Sequence, residues 1–201
     1  RFFQDGLIEL MVGSTCVFSV QVVASQHMDE SDSAEETRHG TLVAPGLVGV
    51  NHDHYFAFRL DLDIDGVNNH FDRLRLVAAD PGEGSERTSI WRVLPERPPR
   101  ELDAASDIDL QRPAIWRFSH ATRTNGAGNP VSYDVVPLGN AAPLVALDDP
   151  GVRRAGFIAH HLWVTPHDAN ERFAAGRFVL GEGSVGLREW TRRNRTVQGR
   201  D

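Results

Sequence analysis

The sequence of 201 residues contains no lysine, and all 21 of its basic residues are arginines. A lysine nucleophile or a lysine Schiff base is therefore excluded from the chemistry of this chain. The single cysteine, Cys16, excludes an intrachain disulfide. No apolar run approaches the ~20 residues that a membrane-spanning helix needs, so no membrane span is predicted. Basic tracts are also absent, and the net charge of −7 argues against nucleic acid as a partner.

The composition that remains is typical of a globular protein, with 40% hydrophobic and 24% charged residues. A chain of 201 residues is long enough for one sizeable core, and we predict a single domain over residues 1–201. The first residues, RFFQDG, lack a methionine and have the composition of a strand interior. This start predicts that the chain is a segment of a longer protein.

Short segments rich in β-branched and aromatic residues alternate with turn signals along the chain. Gly13 and Ser14 separate two of these segments, which predicts a hairpin between Gly6–Val12 and Cys16–Ala24. Further strands are predicted at 73–79, 85–97, 115–119 and 131–136. Many short strands with turns between them predict an all-β fold, an antiparallel sandwich or barrel.

The stretch Asn51–Gly66, NHDHYFAFRLDLDIDG, has the strongest pattern in the sequence. Successive side chains of a strand point to opposite faces. One row begins with His52 and His54 and continues with apolar residues, so we expect it to face a core. The other row is acidic and should face solvent. The sequence therefore predicts a central strand whose two faces differ in chemistry.

Each face has a metal-binding interpretation and an ordinary one. His52 and His54 would place two imidazoles side by side, as a transition-metal site needs. Asp61, Asp63 and Asp65 form an oxygen-rich group of the kind that binds a hard divalent cation. An exposed histidine pair and a solvated acidic face remain open as alternatives. An EF-hand is rejected, because its last ligand would be Asp72 rather than glutamate and the flanking residues lack helical periodicity.

The same stretch resembles the His-x-His strand of the copper amine oxidases. In that family a glycine-rich approach precedes His-x-His, two aromatics, Arg-Leu-Asp-x-Asp-x-Asp-Gly and an asparagine. The matching residues here are His52, His54, Tyr55, Phe56, Arg59, Leu60, Asp61, Asp63, Asp65, Gly66 and Asn69. The resemblance extends to both ends of the chain, through Phe2, Asp5, Gly6, Ile8, Glu9, Trp116, Tyr133, Leu162–Pro166, Glu171, Arg172, Asn194 and Arg195.

The resemblance implies a β-sandwich catalytic domain of the copper amine oxidase type, incomplete at both ends. It implies a primary-amine oxidase that uses oxygen and forms an aldehyde, ammonia and hydrogen peroxide, although the isolated segment should be inactive. The implied cofactors are copper and topaquinone, with calcium or manganese as a second cation. Members of the family form homodimers, so a homodimer is expected here too.

The resemblance also assigns ligands. His52 and His54 would bind copper, together with a third histidine shortly after Asp201. The second cation, which has a structural role, would be bound by Asp61, the carbonyl of Leu62, Asp63 and Asp201. No catalytic residue is expected within the chain, because the cofactor tyrosine and the base would precede Arg1.

Some histidines and tyrosines stand outside this assignment. Neither Tyr55 nor Tyr133 matches the cofactor tyrosine. His160, His161 and His167 are interpreted as loop histidines, one of which could complete a copper site if the chain were whole. Two other functions stay open: a non-catalytic metal-binding β-sandwich relative or decayed fragment, and a cupin-like metal barrel.

Overall fold

The computed structural model describes residues 1–15, 17–138, 140–178 and 186–199. Its contacts form two compact units, residues 1–56 and residues 57–201. The single domain expected over residues 1–201 stays a prediction. All pairings between named strands are antiparallel, and helices are few and short. The prediction of an all-β antiparallel fold is confirmed.

The first unit contains a three-stranded sheet of β1 (Val20–Val22), β2 (Gly40–Ala44) and β3 (Leu47–Val50), in the order β1-β3-β2. A four-residue helix, α1 (Ser33–Glu36), precedes β2. Gly46 has a φ of +71° and makes the tight turn from β2 to β3. Val48, 1% exposed, and Gly49 are the buried residues of β3.

The predicted hairpin between Gly6–Val12 and Cys16–Ala24 is wrong. Strand β1 pairs with β3, a non-local partner, and Cys16 lies outside the described residues. Among the residues that the structure describes, the first segment makes only an isolated bridge between Phe2 and Ile8. The Asp5–Gly6 turn folds the first residues back on themselves, with the N–H of Phe3 bonded to the carbonyl of Leu7 at 2.9 Å, and β1 takes β3 as its partner instead.

The second unit contains a four-stranded sheet with the order β5-β4-β6-β7. Its strands are β4 (Asn69–Ala79), β5 (Ile90–Glu96), β6 (Ala114–Thr124) and β7 (Pro130–Val135). The strand predictions at 73–79, 85–97, 115–119 and 131–136 are confirmed, although β4 and β6 extend further than predicted. The turn from β6 to β7 is closed by the side chain of Asn125, whose Oδ1 accepts hydrogen bonds from the N–H groups of Ala127 and Asn129, both at 3.0 Å.

The second unit also contains short helices: α2 (Glu101–Ala104), α3 (Pro150–Arg154) and α4 (Leu187–Trp190), with 3-10 turns at Gly156–Ala159 and Thr191–Arg193. Helix α3 begins with Pro150 at its first position, and the carboxylate of Asp149 caps it by accepting the N–H of Gly151 at 2.8 Å. In the part of the chain that the structure describes, no helix has the length and apolar character needed to cross a membrane.

The core of the second unit lies against β4 and β6. It consists of Phe71, Ala104, Trp116, Val164 and Val197. The rings of Phe71 and Phe118 lie with their centroids 5.1 Å apart, which is a typical aromatic packing distance. Val197 belongs to the last described segment, so that segment is packed into the core.

A buried ion pair fixes the same segment to α2. Glu101 is fully buried and accepts hydrogen bonds from Arg195, through the backbone N–H at 2.6 Å and the guanidinium at 2.6 and 3.1 Å. Arg195 also donates to Glu171 at 2.8 Å. Removing one partner of such a pair typically costs ~3–5 kcal/mol, because the other charge is left buried and unpaired.

Replacing Trp116 with alanine should lower the free energy of unfolding by ~3–5 kcal/mol, because a large side chain that is 3% exposed leaves a cavity. Urea unfolding of the 201-residue chain, followed by circular dichroism, measures the change. Trp91, 70% exposed on the edge strand β5, supplies the matched control, and its alanine variant should change the free energy by less than about 0.5 kcal/mol. Equal effects of the two substitutions would contradict the assignment of the core.

Candidate metal centre

The predicted central strand is wrong for residues 51–60. These residues form no strand, and all of them are exposed, including the apolar row of Phe56, Phe58 and Leu60. A strand needs a neighbour to accept and donate its backbone hydrogen bonds. Within the described ranges, the N–H of Asn51 is bonded to the carbonyl of His39, and no segment pairs with the residues that follow up to Asp63.

His52 and His54 nevertheless lie side by side, as the alternation of an extended chain predicts. Their ring centroids are 4.8 Å apart and their planes are inclined at 73°. The Nδ1 atom of His52 lies 3.0 Å from the carbonyl oxygen of Val50. A carbonyl can only accept, so this contact assigns the proton to Nδ1 and leaves the lone pair of Nε2 free for a metal ion. Both rings are exposed and accessible.

The alternation also holds at the end of the aspartate stretch. Ile64 is buried and Leu62 half-buried, whereas Asp61, Asp63 and Asp65 are exposed. The carbonyl of Leu62 therefore lies in the backbone between two exposed carboxylates. The donor set is made only of oxygens, which suits a hard divalent cation.

Basic side chains lie next to two of these carboxylates. His167 Nδ1 is 3.1 Å from Asp61 Oδ2, and an Arg59 nitrogen is 3.9 Å from the same oxygen. Arg59 also lies 3.3 Å from His167 Nδ1, so the imidazole either donates to Asp61 or accepts from Arg59. Asp65 pairs with Arg123 at 3.0 Å. Among the described residues, Asp63 makes no ion pair of this kind, and it is exposed to solvent.

The structure brings together some of the predicted ligands and not others. His52 and His54 are adjacent, and Asp61 and Asp63 are both exposed. Asp201, predicted as a further cation ligand, lies outside the described residues. Among the described residues, no three histidine, cysteine, aspartate or glutamate side chains are grouped so as to hold a metal ion.

A second polar cluster was not predicted from the sequence. Asp107 contacts His160 Nδ1 at 2.8 Å and His161 Nδ1 at 3.1 Å, and it accepts the backbone N–H of His161 at 3.1 Å. Burial opposes ionisation of this carboxyl, but the hydrogen bonds from His160 and then His161 outweigh it and lower the pKa of Asp107. The adjacent histidines were visible in the sequence, but nothing there linked them to an aspartate more than fifty residues earlier.

Three comparisons relate the chain to known proteins. A family model described as "Copper amine oxidase, enzyme domain" matches residues 1–201. The chain is 34% identical over 204 residues to the copper-containing amine oxidase alpha 2, peroxisomal, of Arabidopsis thaliana, covering 100% of this chain and 30% of that protein. It is 32% identical over 200 residues to the histamine oxidase of Arthrobacter globiformis, covering 99% of this chain and 28% of that protein.

A solved structure shares the fold. The copper-containing benzylamine oxidase from Hansenula polymorpha superimposes with a TM-score of 0.70 at 22% identity, covering 81% of this chain and 26% of that one. The chain thus spans 26–30% of the length of these three proteins.

The Asp107 cluster should make stability depend on pH. The pKa of Asp107 is lower in the folded than in the unfolded chain. Its contribution to the free energy of unfolding is therefore fully present above the unfolded pKa of ~3.9, and it is lost as the pH falls through the folded pKa. Asp107→Asn should therefore lower the free energy of unfolding near neutral pH, by ~0.5–1 kcal/mol once solvent screening of a half-exposed carboxylate is allowed for.

The measurement is urea unfolding from about pH 7 down to about pH 3. The difference between the parent and Asp107→Asn should shrink toward the acid end, where the aspartate is protonated. Asp148→Asn, which alters an exposed carboxylate, should show no such trend. A difference that stays constant with pH would contradict the assignment.

Proposed function

The chain belongs to the copper amine oxidase family, and on that premise we propose that it supplies metal ligands to a copper-dependent primary-amine oxidase. The proposed reaction converts a primary amine, oxygen and water into an aldehyde, ammonia and hydrogen peroxide. The observation that carries the proposal is the pair of adjacent imidazoles at His52 and His54, with the Nε2 atom of His52 free. The whole reaction is a proposal, because the chain spans 30% of the length of its Arabidopsis relative.

In this proposal His52 and His54 bind copper, together with a histidine that follows Asp201. Two imidazoles alone make a weak site, and a third nitrogen ligand gives the set that borderline metals such as copper prefer. Copper and topaquinone, when bound, supply the electron transfer that side chains alone lack. The Val50 carbonyl contributes by holding the His52 ring in one tautomer and one orientation, as partners beyond the ligands commonly do.

We further propose that Asp61, the Leu62 carbonyl, Asp63 and Asp201 bind the second cation, calcium or manganese. The exposed row of carboxylates and the intervening backbone carbonyl support this set. When the cation is bound, Asp61 must exchange its contacts with Arg59 and His167 for the metal, at least in part. Asp63 is exposed and needs no such exchange.

The proposed substrate class is primary amines, and no particular amine is assigned. The relatives are named for histamine and benzylamine, which differ in ring and charge, so the family leaves that choice open. A homodimer is also proposed. Its support is the number of large apolar side chains that the described residues leave exposed, among them Trp91, Leu94 and Phe58.

The first test replaces each copper ligand in the full-length protein. His52→Ala and His54→Ala should each reduce bound copper to well below one ion per chain and abolish the coloured adduct with phenylhydrazine, which reports a quinone carbonyl. Copper content by mass spectrometry and adduct absorbance measure the two effects. His27→Ala is the matched control, because the His27 ring is exposed and lies 3.9 Å from the carboxylate of Asp29.

Retention of copper and adduct in both alanine variants would overturn the ligand assignment. A folded parent with neither copper nor adduct would instead favour the non-catalytic β-sandwich relative.

The second test separates the two cation sites. Asp61→Asn and Asp63→Asn should each reduce the content of calcium or manganese while leaving copper unchanged, because an amide oxygen is a weaker ligand for a hard cation than a carboxylate. Asp65→Asn is the control, since Asp65 has a φ of +54°, a conformation that asparagine tolerates. Loss of copper in place of the second cation would contradict the assignment.

A further inference from the structure

Strand β4 begins where the aspartate stretch ends. Its first residue, Asn69, is 8% exposed, and its Nδ2 donates a hydrogen bond to the Gly66 carbonyl at 2.7 Å. This bond closes a turn in which Asp65 and Gly66 have φ angles of 54° and 131°. A left-handed backbone at a non-glycine residue needs such support, because it is otherwise unfavourable. The Asn69 side chain therefore fixes the end of the stretch that carries Asp61 and Asp63.

The same end of β4 also holds the last described residues of the chain. The N–H of Gly199 donates a shared hydrogen bond to two acceptors, the carbonyl oxygen of Asn69 at 2.9 Å and His70 Nδ1 at 3.1 Å. Gly199 has a φ of +64°, and a Cβ there would lie 3.2 Å from Asn68 Oδ1. The backbone of residue 199 is thus held close against β4, in a conformation that suits glycine.

The residue before it is fixed in the same way. Gln198 donates from Nε2 to the carbonyl oxygens of Phe71, at 3.0 Å, and of Pro98. The ring of His70 can accept from Gly199 because burial, and then Arg97, lower the pKa of His70 against the opposing effect of Asp72. A neutral ring with its proton on Nε2 keeps the Nδ1 lone pair for the N–H group.

Asn69 also has a free acceptor. Its Oδ1 is buried and has no hydrogen-bond partner among the residues described. Buried amide oxygens almost always accept a hydrogen bond from protein or water. A donor from outside the described residues, or water bound to a cation, would satisfy this atom.

We propose that Asn69 and His70 are positioning residues for the second-cation site. Asn69 acts through Gly66 on the stretch that carries Asp61 and Asp63. His70 acts through Gly199 on the segment that leads, two residues later in the sequence, to Asp201. Neither side chain binds the cation. The inference rests on the proposed function, since it takes its ligand set from there.

One strand would thereby align ligands that come from distant parts of the sequence. Strand β4 is paired with β6 over residues 69–75, which include Asn69 and His70, and with β5 over residues 73–79, so the sheet holds it as a base for both segments. Positioning partners of this kind typically change metal affinity by about 10- to 100-fold when they are removed.

The experiment uses the full-length, copper-loaded protein from which the second cation has been removed by a chelator. Mn²⁺ and Ca²⁺ are then added in separate titrations, and bound metal is measured after equilibrium dialysis. Asn69→Ala and His70→Leu should weaken cation binding by about 10- to 100-fold while the copper content stays unchanged. His70→Asn should bind nearly as the parent does, because the asparagine Oδ1 can take the place of Nδ1 as acceptor.

Leu74→Ala is the matched control for lost stability. Leu74 is 7% exposed in the same strand, so its truncation destabilises β4 without touching Gly66 or Gly199. Its cation affinity should equal that of the parent. If Asn69→Ala and His70→Leu bind the cation as Leu74→Ala does, or if His70→Asn is as weak as His70→Leu, the positioning role is overturned.

The aspartate variants distinguish this failure from failure of the site itself. Weak binding in Asp61→Asn and Asp63→Asn, with parent-like binding in the Asn69 and His70 variants, overturns only the positioning role. Parent-like binding in all four variants overturns the proposed cation site and, with it, this inference.

Discussion

The pairing of β4 on both edges is the constraint on which the larger unit depends. Its backbone is paired with β6 over residues 69–75 and with β5 over residues 73–79, which gives hydrogen-bond partners to backbone groups along the whole strand. The same strand contributes Phe71 to the core and Asp72 to a two-point ion pair with Arg97 at 2.7 Å. Packing, charge pairing and the end of the aspartate stretch all meet on this one element.

The sequence predicted those parts of the fold that depend on nearby residues. Strands β4, β6 and β7 were found because alternation and turn residues act over a few positions, as at the Asn125 turn. The N-terminal hairpin was wrong because strand pairing is a choice among partners. β1 pairs with β3, and no pattern inside either segment encodes that choice. Sequence patterns identify strands more securely than they identify neighbours.

In the candidate site too, local contacts could be predicted from the sequence and contacts across the fold could not. Contacts between residues two apart followed from alternation, which explains the adjacency of His52 and His54 and the burial of Ile64 beneath exposed carboxylates. Contacts across the fold did not, such as His167 beside Asp61. The predicted burial of the histidine row also failed, because burial requires a neighbouring layer and the described residues supply none to it.

The backbone between Asn51 and Asp63 differs from β4 in one respect that solvent can report. Beyond Asn51, its amide groups have no backbone acceptor among the described residues, whereas β4 is held in a ladder with β6 over residues 69–75 and with β5 over residues 73–79. Amide hydrogens of the histidine-bearing segment therefore exchange with deuterium through small local openings. Those of β4 exchange more slowly, because exchange there requires a larger part of the structure to open. The segment that carries the proposed copper ligands thus belongs to the least protected part of the chain, and bound metal would be what slows its exchange.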